Sequence, residues 1–346
     1  MRRIVILLCM ISFLVIPASA MDFTAPEAPN DAQKLMPREI DNFGEGLRFI
    51  AMEALEILHP SITEALRIGA SVVATVLLIG VLSEFCGNAR TSINMAGAIA
   101  VGIMLFKPLN SLIRLGTDTV AQISDYGKLL LPVMTGALAA QGAVTKSGAL
   151  YTATAFFNAF LSSAVADFLV PIVYVYLSTS IICGIFEQPF LKSIKDCLKW
   201  FLTWGLKTVL YIFTGYISIT GIVGGTTDAT ILKATKLSIS GMVPVVGNIL
   251  SDASEAVLVS AGIMKNAAGI YGLLTIIALW IGPFIRIGVQ YLLLKITSGL
   301  SEMLGSKEMA GIIKDFSSTM GLVLAMTGSV CLIFLISTIC FLKGVS

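Results

Sequence analysis

Charge is what this sequence has least of. Of its 346 residues only 13% are Asp, Glu, Lys or Arg, against about 25% in an ordinary soluble domain. Ala, Val, Ile, Leu, Met, Phe, Trp, Tyr and Cys make up 56%, and the mean hydropathy is +0.90. So few charges cannot solvate a water-soluble particle of this size, which excludes an ordinary cytosolic enzyme. Intrinsic disorder needs the opposite composition and is excluded too. Histidine is almost missing: His59 is the single one, so Ser–His and Cys–His catalysis have no base in the apolar part. Neither H-E-x-x-H nor G-x-S-x-G occurs. The stretch Gly142 to Ser147 ends like a phosphate loop but lacks the glycine before Lys146. Besides Cys9 the cysteines are Cys86, Cys183, Cys197, Cys331 and Cys340, and none forms the C-x-x-C pattern of a metal or redox site. The basic residues form no dense patch, which argues against nucleic-acid binding. No enzyme site, metal site or cofactor site is readable; the chemistry left is that of a membrane protein.

What is present begins with a leader. Met1-Arg2-Arg3 is a positive start, Ile4 to Ile16 an apolar core of 13 residues, and Pro17 with Ala18-Ser19-Ala20 a cleavage signal. Cleavage after Ala20 is expected, leaving Met21 first. Residues 21–64 then carry nine acids against Lys34, Arg38 and Arg48, whereas residues 65–346 carry 18 basic and 12 acidic groups. An acidic head on a basic apolar body places the head outside the cytoplasm. Within it, Leu47, Ile50, Ala51, Ala54, Leu55 and Leu58 recur at helical spacing. His59-Pro60 is expected to stop that helix, and Ser61 with Glu64 to cap the next.

A crossing helix needs about 20 apolar residues. Residues 147–166, 168–186, 208–227, 266–285 and 316–342 are charge-free runs of that order, and 68–83, 91–106 and 129–145 are shorter ones. The fold expected is all-α and polytopic, with seven to eight transmembrane helices. In that topology the loop 187–199 and the segment 295–315 are cytoplasmic, rich in lysine as the positive-inside rule asks. The stretch 107–128, with Lys107, Arg114 and Lys128, falls outside against that rule. Proline interrupts apolar sequence at Pro132, Pro171, Pro244 and Pro283, either as plain kinks or as broken helices lining a pathway.

Ionisable groups within or beside apolar runs are functional candidates: Asp167, Lys207 and Arg286. Asp167 also fits a turn between two spans, Lys207 could snorkel, and Arg286 could mark the inner interface. The most individual stretch is 225–266, where Asp228, Lys233, Lys236, Asp252 and Glu255 surround a centre broken by Gly241, Pro244 and Gly247. It reads as an amphipathic or re-entrant element, with Asp252 and Glu255 at a helix N-terminus.

Thr227-Asp228, Lys233-Ala-Thr-Lys236, the run from Val243-Pro244 through Gly247 to Ser251-Asp252-Ala253, and Lys265-Asn266 before Gly269 resemble the stage III sporulation protein AE family. The similarity extends over most of the chain and is densest from about 190 to 342. The resemblance implies a polytopic protein of the mother cell of an endospore-forming bacterium, within a channel or secretion-like apparatus serving the forespore. It implies as partners other stage III sporulation membrane proteins, including a separate ATPase and ring-forming subunits, beside the lipid bilayer. It carries over no residue-level role. A self-contained permease for a small solute is the alternative reading.

Overall fold

The computed structural model describes residues 25–37, 43–86, 89–186, 188–242, 247–304 and 306–343, with the backbone alone over 218–265. Every regular element among them is helical. After the short α1 (Asn30–Gln33) come six long helices: α2 (Phe43–Phe85), α3 (Arg90–Ala140), α4 (Val144–Phe186), α5 (Pro189–Met242), α6 (Gly247–Met303) and α7 (Lys307–Lys343). Among the described residues, α2, α3, α4, α7 and the Asn266–Met303 part of α6 are long and apolar enough to cross a membrane.

The long helices alternate in direction. Gly97 of α3 meets Ile79 of α2; Asn110 and Ser124 of α3 bond Tyr174 and Asn158 of α4; Ser298 and Trp280 of α6 bond Ala310 and Thr327 of α7. Neighbours in sequence therefore run antiparallel, while α2 and α6 run side by side in one direction, Gly46 against Leu274 and Gly69 against Thr297. At the α3–α4 corner the reversal has a local cause. Gly142 takes a positive φ of 92°, its N–H bonds the Ala139 carbonyl and the Ala143 N–H reaches back to Leu138. These are the two bonds of a Schellman cap, which needs glycine at that position.

The centre of the bundle is α7, packed against α3, α4, α5 and α6. Its Phe316, Met320, Val330, Phe334 and Phe341 are sealed from solvent. Small residues let neighbours approach: Gly116 lies on Val323 and Gly127 on the ring of Phe334, as expected of helices packed within lipid. Outside, Met52, Leu55, Leu66, Leu78, Ile103 and Phe168 are exposed. On a soluble protein so large an apolar surface would drive aggregation, whereas lipid covers it at no cost.

Several sequence expectations change. Pro60 does not end the first helix; it lies inside α2, and the Ser61 hydroxyl donates to the Ile57 carbonyl at 2.6 Å instead of capping. Such back-bonding bends a helix without breaking it. Of the head's apolar stripe, Ile50 and Ala54 are buried but Leu47, Ala51 and Leu55 are exposed. The runs 91–106 and 129–140 and the charged stretch between them are one helix, 51 residues long and so about 76 Å at 1.5 Å per residue. Likewise 147–166 and 168–186 join without a turn: Asp167 lies in a π-helical segment, Ala164–Leu169. The cause is Pro171, whose ring displaces the carbonyl four residues back, that of Asp167 itself, and the wider π turn makes room. The expected loop 187–199 shrinks to a corner before α5, which opens on Pro189, a residue suited to a first helical position. Residues 295–315 are mostly helix as well, with only a short break between Met303 and Lys307.

Candidate functional site

The helices α2, α3 and α6 do not close on one another along their whole length. Between them lies a cavity of about 720 Å³ that also touches α1, and a second of about 260 Å³ beside it. The two share Ser61, Glu64, Leu115 and Arg286, so they form one groove. Three helices each place a proline on its wall: Pro60 from α2, Pro108 from α3 and Pro283 from α6. A proline inside a helix leaves the carbonyl four residues upstream without its donor. For Pro60 and Pro283 those are Glu56 and Leu279, and both residues also line the groove. Backbone polarity is thus opened toward this space, as membrane proteins allow only beside protein or water.

Charge is concentrated there as well. Asp31, Glu53, Glu56, Glu64 and Asp118 face it, with Lys34 and Arg286 as the cations among the described lining residues. Asp31 accepts from the Gln122 amide at 3.1 Å, while Arg286 forms no ion pair among the described residues. On the narrower side, Gln290 is buried and its amide nitrogen has no hydrogen-bond partner among the described residues. Unpaired carboxylates set beside helices this apolar are costly unless water or a bound group solvates them. The groove sits where the apolar run 266–285 of α6 gives out and the run 68–83 of α2 has yet to begin.

A second polar cluster is closed. Lys195 of α5 donates to Asp315 of α7 at 2.6 Å, and the Tyr176 hydroxyl of α4 donates to the other carboxylate oxygen at 3.0 Å. Both charged side chains are largely buried, at 17% and 12% exposure. This triad ties three helices together.

The sequence candidates part company here. Arg286 lines the groove. Asp167 is exposed and accepts from the Ser163 hydroxyl of its own helix at 2.7 Å; the α3–α4 bonds set it level with Gly116, which meets Ile287 of α6. It shares a height with Arg286 without sharing the groove. Lys207 is exposed on α5 and does not line the groove. Pro244 lies outside the described residues, as do the side chains of Asp228, Lys233, Lys236, Gly241, Gly247, Asp252 and Glu255. One correction still applies: α6 begins at Gly247, so Asp252 stands inside a helix and not at its N-terminus. Among the described residues no group of three His, Cys, Asp or Glu side chains is arranged to hold a metal. The sequence reading missed Glu64, Asp118 and Asp315. The first two are ordinary surface charges on paper; the only signal was that each helix carrying the groove also carries an internal proline.

A family model for stage III sporulation protein AE matches residues 38–344, nearly the whole chain. The chain belongs to the stage III sporulation protein AE family. The stage III sporulation protein AE of Bacillus subtilis (strain 168) is 21% identical over 287 residues, covering 81% of this chain and 71% of that one. No solved structure matches. Membership makes this a sporulation protein, and its apolar helices make it a membrane protein.

Proposed function

We propose that this chain is a non-enzymatic membrane subunit of the channel or secretion-like complex joining mother cell and forespore, seated in the mother-cell membrane around the forespore. The observation that carries the reading is the groove: three helix-internal prolines and five carboxylates gathered around one space between the helices. A subunit that only filled space would bury apolar side chains there. A wall of acids beside helix-internal prolines is suited to contact a moving polar chain, a basic segment of a neighbouring subunit, or water in a conduit. Energy for transfer would come from a separate ATPase, and ring-forming sporulation proteins would complete the passage.

The test is crosslinking and pull-down from sporulating cells with a photoreactive residue at Glu64 or Asp118. Capture of other sporulation membrane proteins at those positions, and not from exposed apolar positions such as Leu78, is expected. Capture that ignores the groove would overturn the reading. The same groove admits a self-contained permease, which purified chain alone in vesicles would reveal by solute flux; an assembly subunit is inert there.

A further inference from the structure

The corner where α4 gives way to α5 meets the start of α7 over a separate cavity of about 460 Å³. Lys192, Lys195 and Lys307 line it, against Glu308 and Asp315. Since Lys195 is committed to Asp315, Lys192 and Lys307 are left with Glu308 as the one other carboxylate among the described lining residues, and neither makes an ion pair among the described residues. Two helix N-termini open on the same space: Gln188 and Pro189 at the head of α5, Lys307 and Glu308 at the head of α7. Each such end carries the equivalent of roughly half a positive charge together with unbonded N–H groups. Positive charge alone would attract any counterion. Ser180 adds what a counterion cloud does not explain: its side chain is 1% exposed and lines this cavity, and its hydroxyl, although near that of Tyr176, has no partner within hydrogen-bond distance among the described residues. A buried hydroxyl left unsatisfied costs stability, unless something occupying the cavity bonds it.

The rim separates a lipid from a soluble anion. Phe186 and Phe190 flank the corner at 57% and 72% exposure, and Met303 at the end of α6 is 84% exposed. Further along α5, Trp200 and Trp204 stack with ring centroids 5.6 Å apart, both exposed, as tryptophans do in the belt at a membrane surface. Basic, helix-capped cavities fringed by such side chains suit a phosphate headgroup whose acyl chains lie on the apolar rim. We infer that this corner binds the phosphate of an anionic phospholipid, held by Lys192, Lys307, Ser180 and the first turns of α5 and α7.

The full chain, purified in detergent, is titrated with phosphatidylglycerol, phosphatidylcholine and inorganic phosphate while thermal unfolding is followed. Phosphatidylglycerol should raise the midpoint; the other two should not. Lys192→Gln and Lys307→Gln should each weaken the response about fivefold. Ser180→Ala gives the sharper readout: the lipid-free midpoint should hold or rise, because an unsatisfied buried hydroxyl is gone, while the lipid-induced shift shrinks. An undiminished shift in the lysine variants would overturn the site. Phosphate matching phosphatidylglycerol would overturn the lipid assignment in favour of a soluble anion, and phosphatidylcholine matching it would show apolar contact alone.

Discussion

Around α7, Asp315 is enclosed by Lys195 and Tyr176, Thr154 shares a hydrogen bond with Ser337, and Trp280 donates to Thr327 at 3.3 Å. Across the bundle, between α2, α3 and α6, Glu53, Glu56, Glu64 and Asp118 face open space and Arg286 forms no ion pair among the described residues. Both regions place charge among apolar helices, and both lie on the same scaffold. Where the partner is built in, the polar group holds helices together; where it is left out, the group is available to something else. On the proposed function, the contrast separates residues that keep the protein folded from residues that serve its task.

The largest effect should come from breaking the closed side. Asp315→Ala strands the Lys195 ammonium in a largely buried setting, a loss of about 3–5 kcal/mol. The protein should fall out of the membrane fraction or melt much earlier in detergent. Pairing Asp315→Leu with Lys195→Met removes both charges and should recover most of that loss. If Asp315→Ala left the melting midpoint alone while still abolishing sporulation, the triad would belong with the groove, and the comparison would collapse.

Next is the packing that keeps the closed side dry. A Cβ added at Gly127 collides with the ring of Phe334, which is fully buried and has nowhere to go. Gly127→Ala should cost about 1–3 kcal/mol through overpacking, and Phe334→Leu on the same chain should return part of it. Gly148, with open space where its Cβ would stand, is the control: Gly148→Ala should leave the midpoint unchanged or raise it, since alanine suits a helix better.

On the open side the expectation reverses. Arg286→Glu and Glu64→Lys alter exposed groups that form no ion pair among the described residues, and such surface changes usually move stability by no more than about 0.5 kcal/mol. Membrane levels should stay near normal while heat-resistant spores fall sharply. The double swap keeps the groove's net charge and should restore part of the yield if field rather than exact position matters. Lost protein in either single variant would move the groove to the structural side.

How far the sequence could see this division depends on the residue. Composition requires a membrane protein, and the lengths of the apolar runs make it helical and locate each long helix among the described residues. What they could not show is where one helix ends, because Pro60 reads as a stop and the charges of 107–128 and of Asp167 read as breaks between spans. Pro60, Pro108, Pro132 and Pro283 are all carried inside continuous helices; in a packed bundle, neighbouring helices and water can compensate for the lost bond. Arg286 was visible because it interrupts a long apolar run. Asp315 stayed hidden because it sits at the edge of the run 316–342, where a charge reads as loop, and only the approach of α4 and α5 encloses it. Glu64 was visible but misassigned: beside Ser61 it completes a capping pattern, whereas it lies four residues past a proline that the helix ignores.

The smallest effect is the one that keeps charge itself from being the explanation. Asp125 lies on α3 two turns beyond Asp118 and is ion-paired with Lys128 at 2.8 Å, both side chains well exposed at 71% and 64%. An exposed pair three residues apart contributes less than about 0.5 kcal/mol, so Asp125→Asn should shift the melting midpoint barely, if at all. Asp125 and Asp118 share a helix and a sign, yet only Asp118 faces the groove. Asp118→Asn should therefore reduce spore yield and Asp125→Asn should not. Equal losses from both would mean that the acidity of α3 as a whole is what counts, so that the groove has no special claim on its carboxylates.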